Sequence, residues 1–246
     1  MEQFEVVFKP IEGYEHVAIK GENGELIVRL VPNSSQMSCD KAKFFTKITA
    51  EDREKVKKWL AKQKGKSDRE KSFLTRVKEA VKVVDCDYWI ANLEPSVTDG
   101  KIYFAEGDAV GVGFSSNQWK QMAKEYAPER GSRLSNEHEL YIWYALRTVN
   151  GLWTLDYVAN DSSSAGNYRN APGATHFMER TGARMCGGFC DGQGNSYKIV
   201  TREGGYALVG GDYGDYGFNY PVAGVDCYYD PIDIQDYSSG VLMLTK

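Results

Sequence analysis

Histidine is the scarcest reactive side chain here, with only His16, His138 and His176 among 246 residues. None stands at ligand spacing from a second histidine or from a cysteine, which argues against a histidine-rich metal centre. Cysteine is nearly as sparse. Cys39, Cys86, Cys186, Cys190 and Cys227 are odd in number and scattered, which argues against a disulfide framework and for reduced thiols made in a cytosol. The pair Cys186-x3-Cys190 supplies half a metal site at most. No run approaches the ~18 apolar residues of a membrane-spanning helix. The start Met1-Glu2-Gln3-Phe4-Glu5 has neither a basic stretch nor an apolar core, so no signal peptide is expected. Basic residues are missing from the C-terminal part, where Lys246 alone follows Arg202. Lys and Arg crowd residues 41–82 instead. There the run Lys55-Val56-Lys57-Lys58 is interleaved with Glu and Asp, the pattern of a solvated helix face, so no nucleic-acid partner is expected.

What is present is ordinary in bulk and unusual in detail. Hydrophobic residues make up 42% and charged residues 26% of the chain, values typical of a globular protein able to hold one large domain or two modest ones. Its 25 Gly and 16 Tyr exceed the average and suggest a loop-rich fold whose aromatics keep a polar end.

Phe4–Phe8 and Glu25–Leu30 read as strands, with turn chemistry at Gly21-Glu22-Asn23-Gly24 between them. Two helices follow. Thr49 and Asp52 have the spacing of an N-terminal cap pair, Val56, Trp59 and Leu60 form one apolar face, and Gly65 stops the helix. Ser67 with Glu70 is a second capping pair, opening a stripe of Phe73, Leu74, Val77, Ala80, Val81 and Val84. Residues 1–85 carry no recognisable chemistry.

Beyond Asp85 the pattern changes to short strands. Asp87–Ile90 and Lys101–Phe104 flank a turn at Thr98-Asp99-Gly100, and Ala109–Phe114 reads as a tight strand. Ser116 is then the expected cap of a helix carrying Trp119, Met122, Ala123 and Tyr126. Asn136 and Glu139 cap another helix, with Leu140, Trp143, Tyr144 and Arg147 along one side. No long helix is expected after Asn150-Gly151, and residues 161–173 form a Ser-, Asn- and Gly-rich loop.

The last sixty residues organise the rest. Gly188-Phe189-Cys190-Asp191-Gly192-Gln193-Gly194-Asn195-Ser196-Tyr197-Lys198-Ile199 leads to Val209-Gly210-Gly211-Asp212-Tyr213, and Asp, Tyr, Gly and Asn dominate up to Asp230. A glycine every few residues and no 3.6-residue stripe exclude an amphipathic helix. Loops and short strands presenting aromatic and acidic side chains are expected, with glycines such as Gly194 and the Gly210-Gly211 pair at positive φ or in close backbone contact.

These pieces, in this order, resemble the formylglycine-generating-enzyme (sulfatase-modifying-factor) branch of the C-type lectin fold. Tyr88-Trp89-Ile90-Ala91-Asn92-Leu93-Glu94 is similar to the family's opening strand with its Glu. Val110-Gly111-Val112-Gly113-Phe114 resembles "VGVSW", and Arg133–Leu140 resembles "RLPTEAEW". Gly188–Ile199 resembles "GLYDMVGNVWEW", Val209–Tyr213 resembles "RGGSW", and Gly240–Leu244 its closing strand. Arg133 and Glu139 are a pair suited to cross-bracing such a fold. In the copper-using enzymes of the family two cysteines follow the "RGGS" motif closely. Here Asp215 and Tyr220 stand in that region, and neither replaces a thiolate. The resemblance also implies a calcium site through an acidic residue that is Lys198 in this chain; Asp191 and Asn195 remain as alternative oxygen donors.

The resemblance therefore implies the scaffold without the enzyme's catalyst. The same fold serves as a binding platform in the variable proteins of diversity-generating retroelements and in phage tail-tip receptor-binding proteins, which carry exchangeable side chains just before the last strand. The expectation is an α+β protein: an N-terminal strand-and-helix attachment region over residues 1–85, then a C-type lectin-like, loop-rich domain over 86–246. It would be a non-enzymatic receptor-binding component of a phage tail or baseplate, a homo-oligomer of the virion made in the host cytoplasm, with a cytoplasmic location as the alternative. Contacts to a host-surface protein or glycan would come from Asp212, Tyr213, Asp215, Tyr216, Phe218, Asn219, Tyr220, Asp226, Tyr228 and Tyr229, since tyrosine gives large contact area at small entropic cost. Residues 1–85 would join other virion or assembly subunits. No cofactor is expected, with calcium as the alternative. The competing readings are an oxidase with a relocated site using Cys186, Cys190 or Cys227, and a purely structural virion protein.

Overall fold

A computed structural model describes residues 14–20, 26–32, 44–105, 109–159, 185–186, 189–190, 196–210, 234–235 and 238–246. The chain divides into two units, Met1–Phe44 and Phe45–Lys246. In the first, β1 (Tyr14–Lys20) pairs antiparallel with β2 (Leu26–Pro32), from Tyr14 opposite Pro32 to Lys20 opposite Leu26. The turn chemistry at residues 21–24 lies between these strands. The pairing strand is Tyr14–Lys20; the expected strand at Phe4–Phe8 falls outside the described residues.

The second unit begins with β3 (Phe45–Ile48) and α1 (Ala50–Leu60). Thr49 sets the start of α1: its hydroxyl accepts the Asp52 N–H at 3.3 Å and the Asp52 carboxylate accepts the Thr49 N–H at 3.1 Å, so two orphan donors of the first turn are satisfied. Val56 is wholly buried, with Trp59 and Leu60 partly so. In α2 (Asp68–Val83) the Ser67 hydroxyl accepts the Glu70 N–H at 3.1 Å, and Phe73, Leu74, Val77 and Ala80 form the buried stripe. Between the helices Gly65 adopts φ +62°, a left-handed conformation that favours glycine.

Next come β4 (Tyr88–Ala91), β5 (Ser96–Thr98) and β6 (Lys101–Tyr103). The β5–β6 hairpin turns through Asp99 at φ +51° and Gly100 at φ +71°, the paired positive angles that suit right-twisted strands. The expected strand at Ala109–Phe114 shortens to β7 (Phe114–Ser115). Gly111 donates its N–H to the Pro95 carbonyl at 2.8 Å and Gly113 takes φ +80°, which takes this stretch out of extended pairing. Ser115 rather than Ser116 caps α3 (Ser116–Tyr126), in a reciprocal pair with Gln118. A 3-10 turn at Pro128–Arg130 leads to β8 (Arg133–Leu134), α4 (Glu137–Val149) and the single turn α5 (Leu155–Val158). The remainder is β9 (Met185–Cys186), β10 (Phe189–Cys190), β11 (Tyr197–Arg202), β12 (Gly205–Val209), β13 (Ile234–Gln235), β14 (Ser238–Gly240) and β15 (Leu242–Leu244). The architecture is α+β.

A four-stranded antiparallel sheet in the order β3-β4-β15-β8 anchors the unit. A row of Thr46, Ile90, Met243 and Arg133 crosses it. A three-stranded sheet has β11 between β12 and β14, the β11–β14 pairing being parallel. Val241 links the two sheets: its N–H donates to Ile199 of one, and its carbonyl accepts from Ser135 beside the other. Helix α4 is buried on all sides from Glu139 to Arg147, as expected of a helix enclosed in a core. Trp143, Tyr144, Trp153 and Tyr157 cluster there with ring centroids 5.1–5.5 Å apart.

The boundary expected at residue 85 is not where the chain divides. β3 belongs to the main sheet, and Val56, Phe73, Leu74 and Val77 share one core with Tyr88, Ile90, Tyr141 and Met243. Both helices need that apolar partner to bury their stripes. Arg53, on a helix whose charges read as solvated, is itself buried and donates to the backbone carbonyls of Cys86 at 2.5 Å and Asp85 at 3.0 Å.

Candidate functional site

The ten residues expected to make contact, Asp212, Tyr213, Asp215, Tyr216, Phe218, Asn219, Tyr220, Asp226, Tyr228 and Tyr229, lie outside the described residues, as do Asp191, Asn195 and Cys227. The frame at both ends of their tract is described. On the near side β12 runs antiparallel to β11 from Gly205 to Val209, with Ala207, Leu208 and Val209 buried. Gly210 then adopts φ +97°, a positive angle expected from its place in a glycine pair. On the far side β13 pairs with β7, Ile234 opposite Ser115, and β14 pairs with β11. Residues 211–233 therefore leave from one hydrogen-bonded strand and return to another.

Under this frame lies a buried polar cluster drawn from distant parts of the chain. The Glu94 carboxylate accepts from Lys198 Nζ at 2.5 Å, from the Ser196 hydroxyl at 2.5 Å and from the Ser196 N–H at 3.3 Å. Ser239 shares a hydrogen bond with Ser196 at 2.7 Å between hydroxyls, and Lys198 also donates to the Ser196 carbonyl at 2.5 Å. Glu94 is 4% exposed, Lys198 5% and Ser196 0%. Opposite charges and matched donors are what make such burial tolerable.

Serine, lysine and glutamate together can form a nucleophilic site, but this geometry does not. A lysine acting as base must face the serine hydroxyl; Lys198 donates to the Ser196 carbonyl instead. The Ser196 hydroxyl is wholly enclosed and committed to Glu94 and Ser239. The cluster braces β11, β14 and the segment after β4. The motif resemblance places Lys198 where an acidic calcium ligand is implied. The structure gives it another role, as the internal cation that answers Glu94.

A second brace lies between β8 and α4. Arg133 grips Glu139 with both nitrogens, at 2.5 and 3.0 Å, a bidentate geometry that adds specificity. Glu139 also accepts the Asn136 N–H at 2.8 Å and closes the α4 capping box. This is the cross-bracing pair expected from the sequence. Tyr88 donates its hydroxyl to the Glu139 backbone carbonyl at 2.8 Å, and burial, with the Glu139 charge next, holds its phenol well above the usual tyrosine range.

For the oxidase reading, Cys186 and Cys190 fall in the short paired strands β9 and β10, where Cys186 faces Phe189 and Cys190 faces Met185. Among the described residues no three His, Cys, Asp or Glu side chains gather as a metal site. No helix among them is long and apolar enough to cross a membrane. Comparison of the chain with protein-family models, curated proteins and solved structures finds no match.

Proposed function

We propose that this chain is a non-enzymatic binding protein with a C-type lectin-like Phe45–Lys246 unit, acting as a receptor-binding component of a phage tail or baseplate. Its contact surface is the Tyr-, Asp- and Asn-rich tract between β12 and β13. The observation that carries this reading is the anchoring of the tract at both ends. A frame braced by a buried ion pair lowers the ordering cost of a loop presented for binding. The tract's composition fits recognition, since tyrosine supplies rigid amphipathic area and Asp and Asn supply adaptable polar contacts. The ligand is a host-surface protein or glycan. Attachment to other subunits of a homo-oligomeric assembly is assigned to residues before Phe45, because the helices up to residue 83 are committed to the core of the second unit.

The test is adsorption of the purified protein to whole bacterial cells, with Tyr213, Tyr216, Phe218, Tyr220, Tyr228 and Tyr229 changed singly to Ala. A few positions should lose about 5- to 1,000-fold in affinity, the range of about 1–4 kcal/mol found at hot spots, while thermal melting stays put. Binding unchanged across the set, or melting lowered wherever binding falls, would overturn the assignment. Retention of one tightly bound copper ion per chain would favour the oxidase instead.

A further inference from the structure

Beside the Glu94–Lys198 pair is a cavity of about 20 Å³, with Asn92, Trp143 and Ser239 in its wall, enough for one water molecule. Asn92 is 2% and Trp143 4% exposed, and neither Asn92 Nδ2 nor Trp143 Nε1 has a protein acceptor within reach. Asn92 Oδ1 accepts the Thr46 hydroxyl at 2.6 Å, and in that arrangement Nδ2 is the remaining donor. Two buried donors without acceptors are costly where nothing answers them, and the two residues that carry them line the same small space.

We propose that this cavity is a binding site for a single internal water molecule, which accepts from Asn92 and Trp143. Its own two protons have acceptors in the same wall, the Ser239 hydroxyl oxygen and the Glu94 carboxylate. Charge selects water over an ion. The Lys198 ammonium and the Glu94 carboxylate already cancel, so a halide would add an uncompensated buried negative charge. A cation would face two N–H donors and an ammonium group. The site joins the end of β4, helix α4 and β14 through one exchangeable molecule, in the way conserved internal waters complete a buried polar network.

An atomic-resolution crystal structure of the full chain, from crystals with and without a bromide soak, tests this. One ordered oxygen about 2.8–3.1 Å from both Asn92 Nδ2 and Trp143 Nε1 is expected, with no anomalous bromide signal there. A bromide peak at that position, or no density in the cavity, would overturn it. In solution, oxygen-17 relaxation dispersion should count one fewer long-lived water in Asn92→Met than in the parent. An unchanged count in a folded variant would also overturn the proposal. Should Asn92→Met not fold, the crystallographic measurement on the unaltered chain decides.

Discussion

Lys198 shows how one side chain settles the character of an interior. Its ammonium meets Glu94 inside the protein rather than in solvent. Removing one member of such a pair strands the other charge, so Lys198→Met should cost about 3–5 kcal/mol. Combining Lys198→Met with Glu94→Gln should recover more than half of that loss, because the glutamine carbonyl still accepts from Ser196 and no charge is left alone. Guanidinium unfolding midpoints of the three variants check both statements; an additive double variant would contradict them. Tyr88 makes a different prediction, in pH. Its folded-state pKa is raised by burial first and by the Glu139 charge second. The resulting stabilisation is whole below the pKa of an unfolded tyrosine, about 10, and is lost as pH rises beyond it. Tyr88→Phe should cost about 1 kcal/mol at neutral pH through the lost hydrogen bond to the Glu139 carbonyl. It should also flatten the decline of stability above about pH 10, read from urea melts across the alkaline range.

At the scale of elements, helix starts are the most local decision in this chain. Thr49, Ser67 and Asn136 each cap a helix by accepting an N–H three residues on. The signal fits within four residues, so it was legible without any tertiary knowledge. Asn136→Ala should cost about 1 kcal/mol, measured by thermal melting. The two-residue strands β8, β9, β10 and β13 were not legible, because their extended pairing depends on partners elsewhere in the chain. The enclosure of α4 was half legible: Leu140, Trp143, Tyr144 and Arg147 mark one face, but only the packing of neighbouring elements shows that the opposite face is covered as well. The Glu94–Lys198 brace joins residues about a hundred positions apart, beyond any periodicity argument. Its one trace was a lysine where the motif resemblance called for an acid. Gly240 ends β14 beneath Trp119. A Cβ there would lie 2.8 Å from Leu134 Cδ2 and 2.8 Å from Trp119 Cε3. Gly240→Ala should therefore destabilise by about 1–3 kcal/mol through overpacking, visible as a lowered melting temperature with unchanged far-ultraviolet circular dichroism.

For the whole molecule, the division at Phe44 separates a hairpin from a unit with its own core. A fragment beginning at Lys41 should fold and melt cooperatively within a few degrees of the full chain, as domains with a complete core do. Loss of cooperativity in that fragment would show that the hairpin completes the core. The main sheet carries a further consequence. β15 occupies an inner position between β4 and β8, yet it lies far downstream of both. A ribosome must deliver Leu242–Leu244 before β4 and β8 can be joined, and until then each strand shows a bare flank. Assembly of this unit must therefore wait until β15 has been made. A stalled or prematurely terminated product would be an aggregation hazard rather than a shorter working protein.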